Sequence, residues 1–228
     1  MSQAVTQPSP ADHVVPKKVG DFGMWLFLAS LAMLFIASML AYVIVRINGM
    51  MEKTNAITGE PIPASGPAWG SLNIPPSLWI STVVILVSSF TIHRALTHIR
   101  LERQAAFRRM MAVTLGLAFA FLIVQGPSLG TLLTDHWNAM EQRELLAAPG
   151  APAGAVPNNA LYGAVFFLIL VHALHVLGGI IPLAVTTRQA YRHRYDHEHH
   201  APVKHLVMYW HFLDGVWIAM FGVLLITA

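Results

Sequence analysis

Five apolar runs, each long enough to cross a lipid bilayer, dominate this chain and constrain it more than any other feature. A hydrocarbon core of about 30 Å takes roughly 20 apolar residues in helical form. Runs of that length cover residues 22–45, 78–96, 110–133, 161–185 and 205–226, separated by charged or Pro/Gly-rich segments. With 228 residues, 55% hydrophobic and 11% charged, the chain holds more apolar surface than a soluble domain of its size buries, so the excess must face lipid. The expected fold class is all-α, an integral membrane bundle of five transmembrane helices over residues 21–228, preceded by a polar tail at 1–20. That tail lacks the apolar stretch of a signal peptide and the Arg-rich composition of a transit peptide.

The basic residues set an expected orientation. Lys17 and Lys18 precede the first run; Arg94, Arg100, Arg103, Arg108 and Arg109 fall between the second and third; Arg188, Arg192, Arg194 and Lys204 fall between the fourth and fifth. These are eleven of the fourteen basic residues, and only Arg46, Lys53 and Arg143 lie in the alternate connections. The positive-inside rule then places the N-terminus in the cytoplasm and the C-terminus outside, on the periplasmic side if the membrane is a bacterial inner membrane. The outer connections, 47–73 and 134–159, are rich in Pro, Gly and Ala and read as exposed loops. A sequence pI near 9.5 reflects this topology rather than a nucleic-acid partner. The absence of cysteine excludes disulfides, iron–sulfur clusters and thiolate metal sites.

Four of the five runs carry words that resemble the last five helices of cytochrome c oxidase subunit III, a family whose bacterial and quinol-oxidase members often lack or rearrange the first two of seven helices. GMWLFLAS at 23–30 and PPSLW at 75–79, followed by SSFT at 88–91, resemble two successive helix openings. HALHVLGG at 172–179 and YWHFLDGVW at 209–217 resemble the family's HGLHV and YWHFVDVVW segments, in the same order and near the C-terminus. The chain departs from the family at Leu31, where a glutamate is common, and after Gln125, where Gly126, Pro127 and Ser128 replace the usual acidic residue.

Inside the runs, His172, His175, His211 and Asp214 are the groups to explain, because an ionisable side chain at a span centre is costly and turns inward to a partner. At about 1.5 Å per residue, His175 lies about 15 Å and Asp214 about 14 Å from the inner ends of their helices. Each of the pairs His172/His175 and His211/Asp214 is spaced i,i+3, on one side of its helix. We therefore expect an intramembrane polar cluster of His172, His175, His211, Asp214 and Trp210, with Asp214 accepting a hydrogen bond from His175 or His172. Gly178 and Gly179 are expected to let the last two helices approach closely. Trp25, Trp69, Trp79 and Trp137 sit near span ends and suit the bilayer interface, whereas Trp210 and Trp217 suit specific packing. The histidines also fit a metal or haem site in type, as does the His-rich inner loop at 192–200. Arg94, Arg100 and Arg103 are candidate contacts for anionic lipid headgroups.

The resemblance implies a non-catalytic subunit III of a haem-copper terminal oxidase, which stabilises subunit I and its proton uptake and binds phospholipid. It implies no catalytic residue, metal or cofactor in this chain, with haem and copper held by partner subunits I and II, and electrons drawn from cytochrome c or from quinol. The alternatives are an accessory protein of nitric oxide reductase and, in another class, a small divalent-cation transporter. The first apolar run argues against transport, since between residues 24 and 45 it offers only Ser30, Ser38 and Tyr42 as polar groups.

Overall fold

The structure, a computed structural model, describes residues 17–50, 53–54, 61–62, 76–146, 159–195 and 200–227. It contains five long helices: α1 (Lys17–Met50), α2 (Pro76–Arg100), α3 (Gln104–Leu146), α4 (Asn159–Tyr191) and α5 (Ala201–Thr227). A short antiparallel pair, β1 (Lys53–Thr54) and β2 (Pro61–Ile62), lies in the connection after α1. All five helices are long and apolar enough to cross a membrane. The residues assigned to the N-terminal tail lie outside the described residues up to position 16.

One boundary differs in kind from expectation. Helix α3 runs on to Leu146, through residues read as loop, and carries Pro127 within it. The segment from Ala139 to Leu146 is built of Ala, Met, Glu, Gln, Arg and Leu, all strong helix formers. The Pro- and Gly-rich composition that suggested a loop begins only at Pro149, outside the described residues.

The helices form a ring in the order α1, α4, α3, α2, α5, with α4 and α5 also in contact across it. Their directions follow from side-chain pairs. Asp21 meets Lys204 and His205 at one end of α1 and α5, while Tyr42 meets Thr227 at the other, so these two helices run parallel. Trp79 packs on Phe221 and Trp210 on Ser88, so α2 runs antiparallel to α5. The end where α2 and α4 finish and α3 and α5 begin therefore collects the basic residues. There α2 and α4 close with residues in the left-handed region, Glu102 (φ 58°) and His193 (φ 53°). Arg103 N–H reaches back to His98 O and Arg194 N–H to Gln189 O, the bonds that satisfy last-turn carbonyls beyond a helix end.

At the opposite end a single arginine ties the bundle. Arg46 is 1% exposed and donates from Nε and Nη2 to the Thr227 carbonyl at 3.2 and 2.8 Å. Tyr42 Oη and Thr227 Oγ1 share a further bond of 2.7 Å. Carbonyls of a final helical turn have no intrahelical donor, and α1 supplies donors to that of Thr227. The core between these ends is apolar and aromatic, with Phe35, Phe121, Leu213, Trp217 and Met220 all buried.

Candidate functional site

The residues singled out on α4 and α5 converge on the middle of the bundle and then divide. His172 is 1% exposed, its ring 5.2 Å from Trp217 and 6.1 Å from both Phe35 and Phe121, with neither nitrogen hydrogen-bonded. His175, one turn on, turns towards α1: its ring lies 5.1 Å from Phe35, and Nδ1 is 2.7 Å from the Val171 carbonyl of its own helix. Its own carbonyl accepts the Tyr209 hydroxyl at 2.8 Å, a bond between α4 and α5.

The expected hydrogen bond from His172 or His175 to Asp214 is not formed. Asp214 is 4% exposed and neither of its oxygens has a hydrogen-bond partner; His211 Nδ1 stands 4.0 Å from Oδ2 and is bonded instead to Ser89 Oγ at 2.6 Å. Helix geometry accounts for the correction. Three residues advance a helix by about 300°, so an i,i+3 pair still diverges by roughly 60°. That angle sends His172 into the aromatic core and His175 towards α1. Trp210, His211 and Trp217 of α5 instead meet α2, whose Ser88 accepts the Trp210 Nε1–H at 2.9 Å and whose Thr82 accepts the Trp217 Nε1–H at 3.0 Å.

This α2–α5 seam went unread in the sequence, although it left a signal there. Thr82 and Ser89 are seven residues apart, as are Ser81 and Ser88, and so are Trp210 and Trp217. The hydroxyls on one helix and the indole donors on the other recur about every two turns, as a facing pair requires, the acceptors actually used being Ser88 and Thr82. The glycines also separate. A Cβ on Gly179 would come within 2.7 Å of Tyr209 Cε1 and 3.3 Å of Trp210 Cζ3, whereas one on Gly178 would meet nothing within 4 Å. Only Gly179 is the close-approach residue.

Trp25, Trp79 and Trp137 face outwards, Trp210 and Trp217 are buried, and Trp69 lies outside the described residues. Leu31 is half-buried on α1, and Gln125 is buried on α3. At the basic end Arg94, Arg100 and Arg103 are exposed, Arg94 lying over the Phe90 ring at 5.0 Å. Lys204 Nζ and His205 Nε2 contact the two oxygens of Asp21 at 2.6 and 2.8 Å. Of the His-rich loop, residues 196–199 lie outside the described residues; His193 Nε2 is 3.0 Å from Arg108 Nη1. Among the described residues no group of three or more His, Asp or Glu is placed to hold a metal ion.

The His172 environment gives a direct prediction. An imidazole buried without a partner is a desolvation cost, so His172→Leu, which keeps an apolar group of similar bulk, is expected to leave the thermal midpoint of the purified protein unchanged or raised. A marked fall would mean that the ring bonds something essential.

Comparison with known proteins adds a similarity. The model of cytochrome c oxidase subunit III matches residues 144–227, the stretch that carries α4 and α5. The chain is 28% identical to cytochrome c oxidase subunit 3 of Lumbricus terrestris, covering 88% of this chain and 67% of that one. It is 27% identical to the subunit 3 of Pylaiella littoralis, covering 87% of this chain and 63% of that one. It is also 25% identical to the cytochrome bo(3) ubiquinol oxidase subunit 3 of Pseudomonas aeruginosa, covering 89% of this chain and 82% of that one. The chain thus spans about two-thirds of the length of the two cytochrome c oxidase relatives. The HALHVLGG and YWHFLDGVW words both lie inside the matched region and pack against each other through Gly179, Tyr209 and Trp210, so over residues 144–227 the chain is similar to the cytochrome c oxidase subunit III family.

Proposed function

We propose that this chain is a non-catalytic subunit III of a haem-copper terminal oxidase, a membrane partner that stabilises subunit I and sustains its proton uptake, while haem and copper reside in subunits I and II. The observation that carries this reading is the YWHFLDGVW word on α5. Its Trp210, Leu213, Asp214 and Trp217 are all buried, and its indoles are engaged by α2. Side chains used in this way hold helices together and leave electron transfer to a partner. The cation-transporter alternative requires a continuous polar path, and the centre of the bundle is instead filled by Phe35, Phe121, His172 and Trp217.

The proposed setting is a bacterial plasma membrane with the basic end of the bundle in the cytoplasm, following the charge bias of the connections. Lipid is the proposed ligand of the outer surface. Helix α1 exposes Phe22, Trp25, Phe27, Met33 and Ile36, and grooves flank it on both sides, one lined by Trp25, Leu28, Met208 and Phe212, the other by Met24, Phe27, Pro182 and Tyr209. Arg94, Arg100 and Arg103 would meet headgroup phosphates at the inner surface.

The test is to tag the chain, solubilise it in mild detergent and identify what comes with it. A haem-bearing subunit I with an oxidase spectrum is the expected companion, and cytochrome c or quinol turnover of that complex identifies the electron donor. A nitric oxide reductase in its place, or haem bound by this chain alone, would overturn the reading.

A further inference from the structure

The outer faces of this bundle differ in chemistry. Those of α3 and α4 present hydrocarbon to the membrane, with Phe119 and Ile123 exposed on one and Phe167 and Ile181 on the other. Where α2 and α5 meet, the outer surface carries imidazoles instead. His93 of α2 is exposed, the His211 side chain of α5 is 38% exposed, and their ring centroids lie 5.8 Å apart. His211 stands six residues, about 9 Å, inside the apolar run that begins at His205. Its Nδ1 is bonded to Ser89 Oγ at 2.6 Å, which keeps the ring from swinging towards the membrane surface. The other ring nitrogen, Nε2, makes no hydrogen bond among the described residues.

A polar group left in hydrocarbon without a partner is costly, and ionisable side chains within membrane spans turn to protein for that reason. Headgroup phosphates lie at the membrane surface, and at the depth of His211 a phospholipid offers only acyl chain, which can neither donate to nor accept from an imidazole. The group that meets Nε2 must therefore be carried into the membrane by protein. The surface beside it is shaped for close approach. His211, Gly215 and Ala219 follow one another at four-residue steps along α5, Gly215 and Ala219 are exposed, and a Cβ on Gly215 would meet nothing within 4 Å.

We propose that the outer α2–α5 surface centred on His211 is the face on which this chain seats a membrane-spanning helix of subunit I, and that this helix presents a hydrogen-bonding side chain to His211 Nε2. Gly215 and Ala219 let the backbone of the incoming helix approach, as small residues do where helices pack in lipid. The hydrocarbon faces of α3 and α4 are left to the bilayer. The partner comes from the proposed function, on which this assignment rests; the face and the residue that marks it come from the exposed imidazoles.

The test places a photo-crosslinking amino acid at Ala219, and separately at Ile123 and Ile181, in the tagged chain within its native complex. A crosslink to subunit I from Ala219 and none from Ile123 or Ile181 is expected. Subunit I present in the complex but crosslinked only from Ile123 or Ile181, or lipid alone captured at Ala219, overturns the assignment and leaves the proposed function standing. Purified material without subunit I overturns both. Ala219→Trp gives a second reading: it is expected to cut the subunit I recovered with the chain by about tenfold while the thermal midpoint of the purified chain stays as it was, and Ile123→Trp to change neither. Undiminished recovery with Ala219→Trp overturns the assignment. Ser89→Ala, which removes only the internal bond of the ring, is expected to retain subunit I where His211→Phe loses it; equal recoveries overturn the bond assigned to Nε2.

Discussion

Gly179→Ala is expected to lower the stability of the purified protein by about 1 to 3 kcal/mol, while Gly178→Ala, one residue away, leaves it unchanged or raises it. The difference comes from what the new methyl group meets. At position 179 the Cβ falls 2.7 Å from Tyr209 Cε1 and 3.3 Å from Trp210 Cζ3. Tyr209 is not free to swing aside, since its hydroxyl is bonded to the His175 carbonyl at 2.8 Å and its ring stacks on Phe27 with centroids 6.1 Å apart. The methyl therefore breaks the hydroxyl bond or pushes α4 off α5. Between helices in lipid no hydrophobic gain offsets such a separation, because close packing is itself the driving force. At position 178 the methyl meets nothing within 4 Å, and the ordinary advantage of alanine over glycine in a helix, about 1 kcal/mol, is all that remains. Thermal unfolding of the two variants in one detergent decides the matter; equal midpoints would show that α4 and α5 are not in contact through Gly179.

The same pair of glycines shows what was legible in the sequence. The five spans were legible because an apolar run of bilayer length is a one-dimensional signal, and all five appear as helices. Composition also told which residues would be costly in lipid, and His172 and Asp214 are indeed buried. Azimuth was not legible. Spacing of i,i+3 places two residues on one side of a helix, but the neighbour each one meets depends on how the helices are arranged in the ring. Asp214 was matched to α4 because α4 precedes α5 in the chain, whereas the hydroxyls that meet α5 come from α2. The hydroxyls Thr82, Ser88 and Ser89 on one span and Trp210, His211 and Trp217 on another held that information, and only when the two lists are set side by side. Helix α3 beyond Leu133 is not legible for a different reason: its final turns are polar, so the apolar run ends before the helix does.

Trp217→Ala is expected to be the most damaging single truncation in the bundle, costing about 3 kcal/mol or more, and Trp217→Phe only about 1. Trp217 is 2% exposed and meets three other helices at once. Its ring meets Phe121 of α3 edge-on at 5.2 Å, lies 5.2 Å from His172 of α4, and donates its Nε1–H to Thr82 Oγ1 of α2 at 3.0 Å. Truncation to alanine opens a cavity walled by Phe121 and His172, both themselves buried and in ring contact with each other, so the walls have little freedom to collapse into it. Such confinement places a large-to-small change at the upper part of its range. Phenylalanine keeps an aromatic contact for Phe121 and His172 and loses the indole donor. The Thr82 hydroxyl still donates to the Leu78 carbonyl at 2.7 Å, so it is not stranded. Thermal midpoints in detergent, read beside the yield of chain retained with its partner, separate the two cases: alanine is expected to reduce both, and phenylalanine to lower the midpoint slightly while leaving the yield intact. Equal losses for the two variants would mean that the hydrogen bond to α2, and not the packing, is what Trp217 contributes.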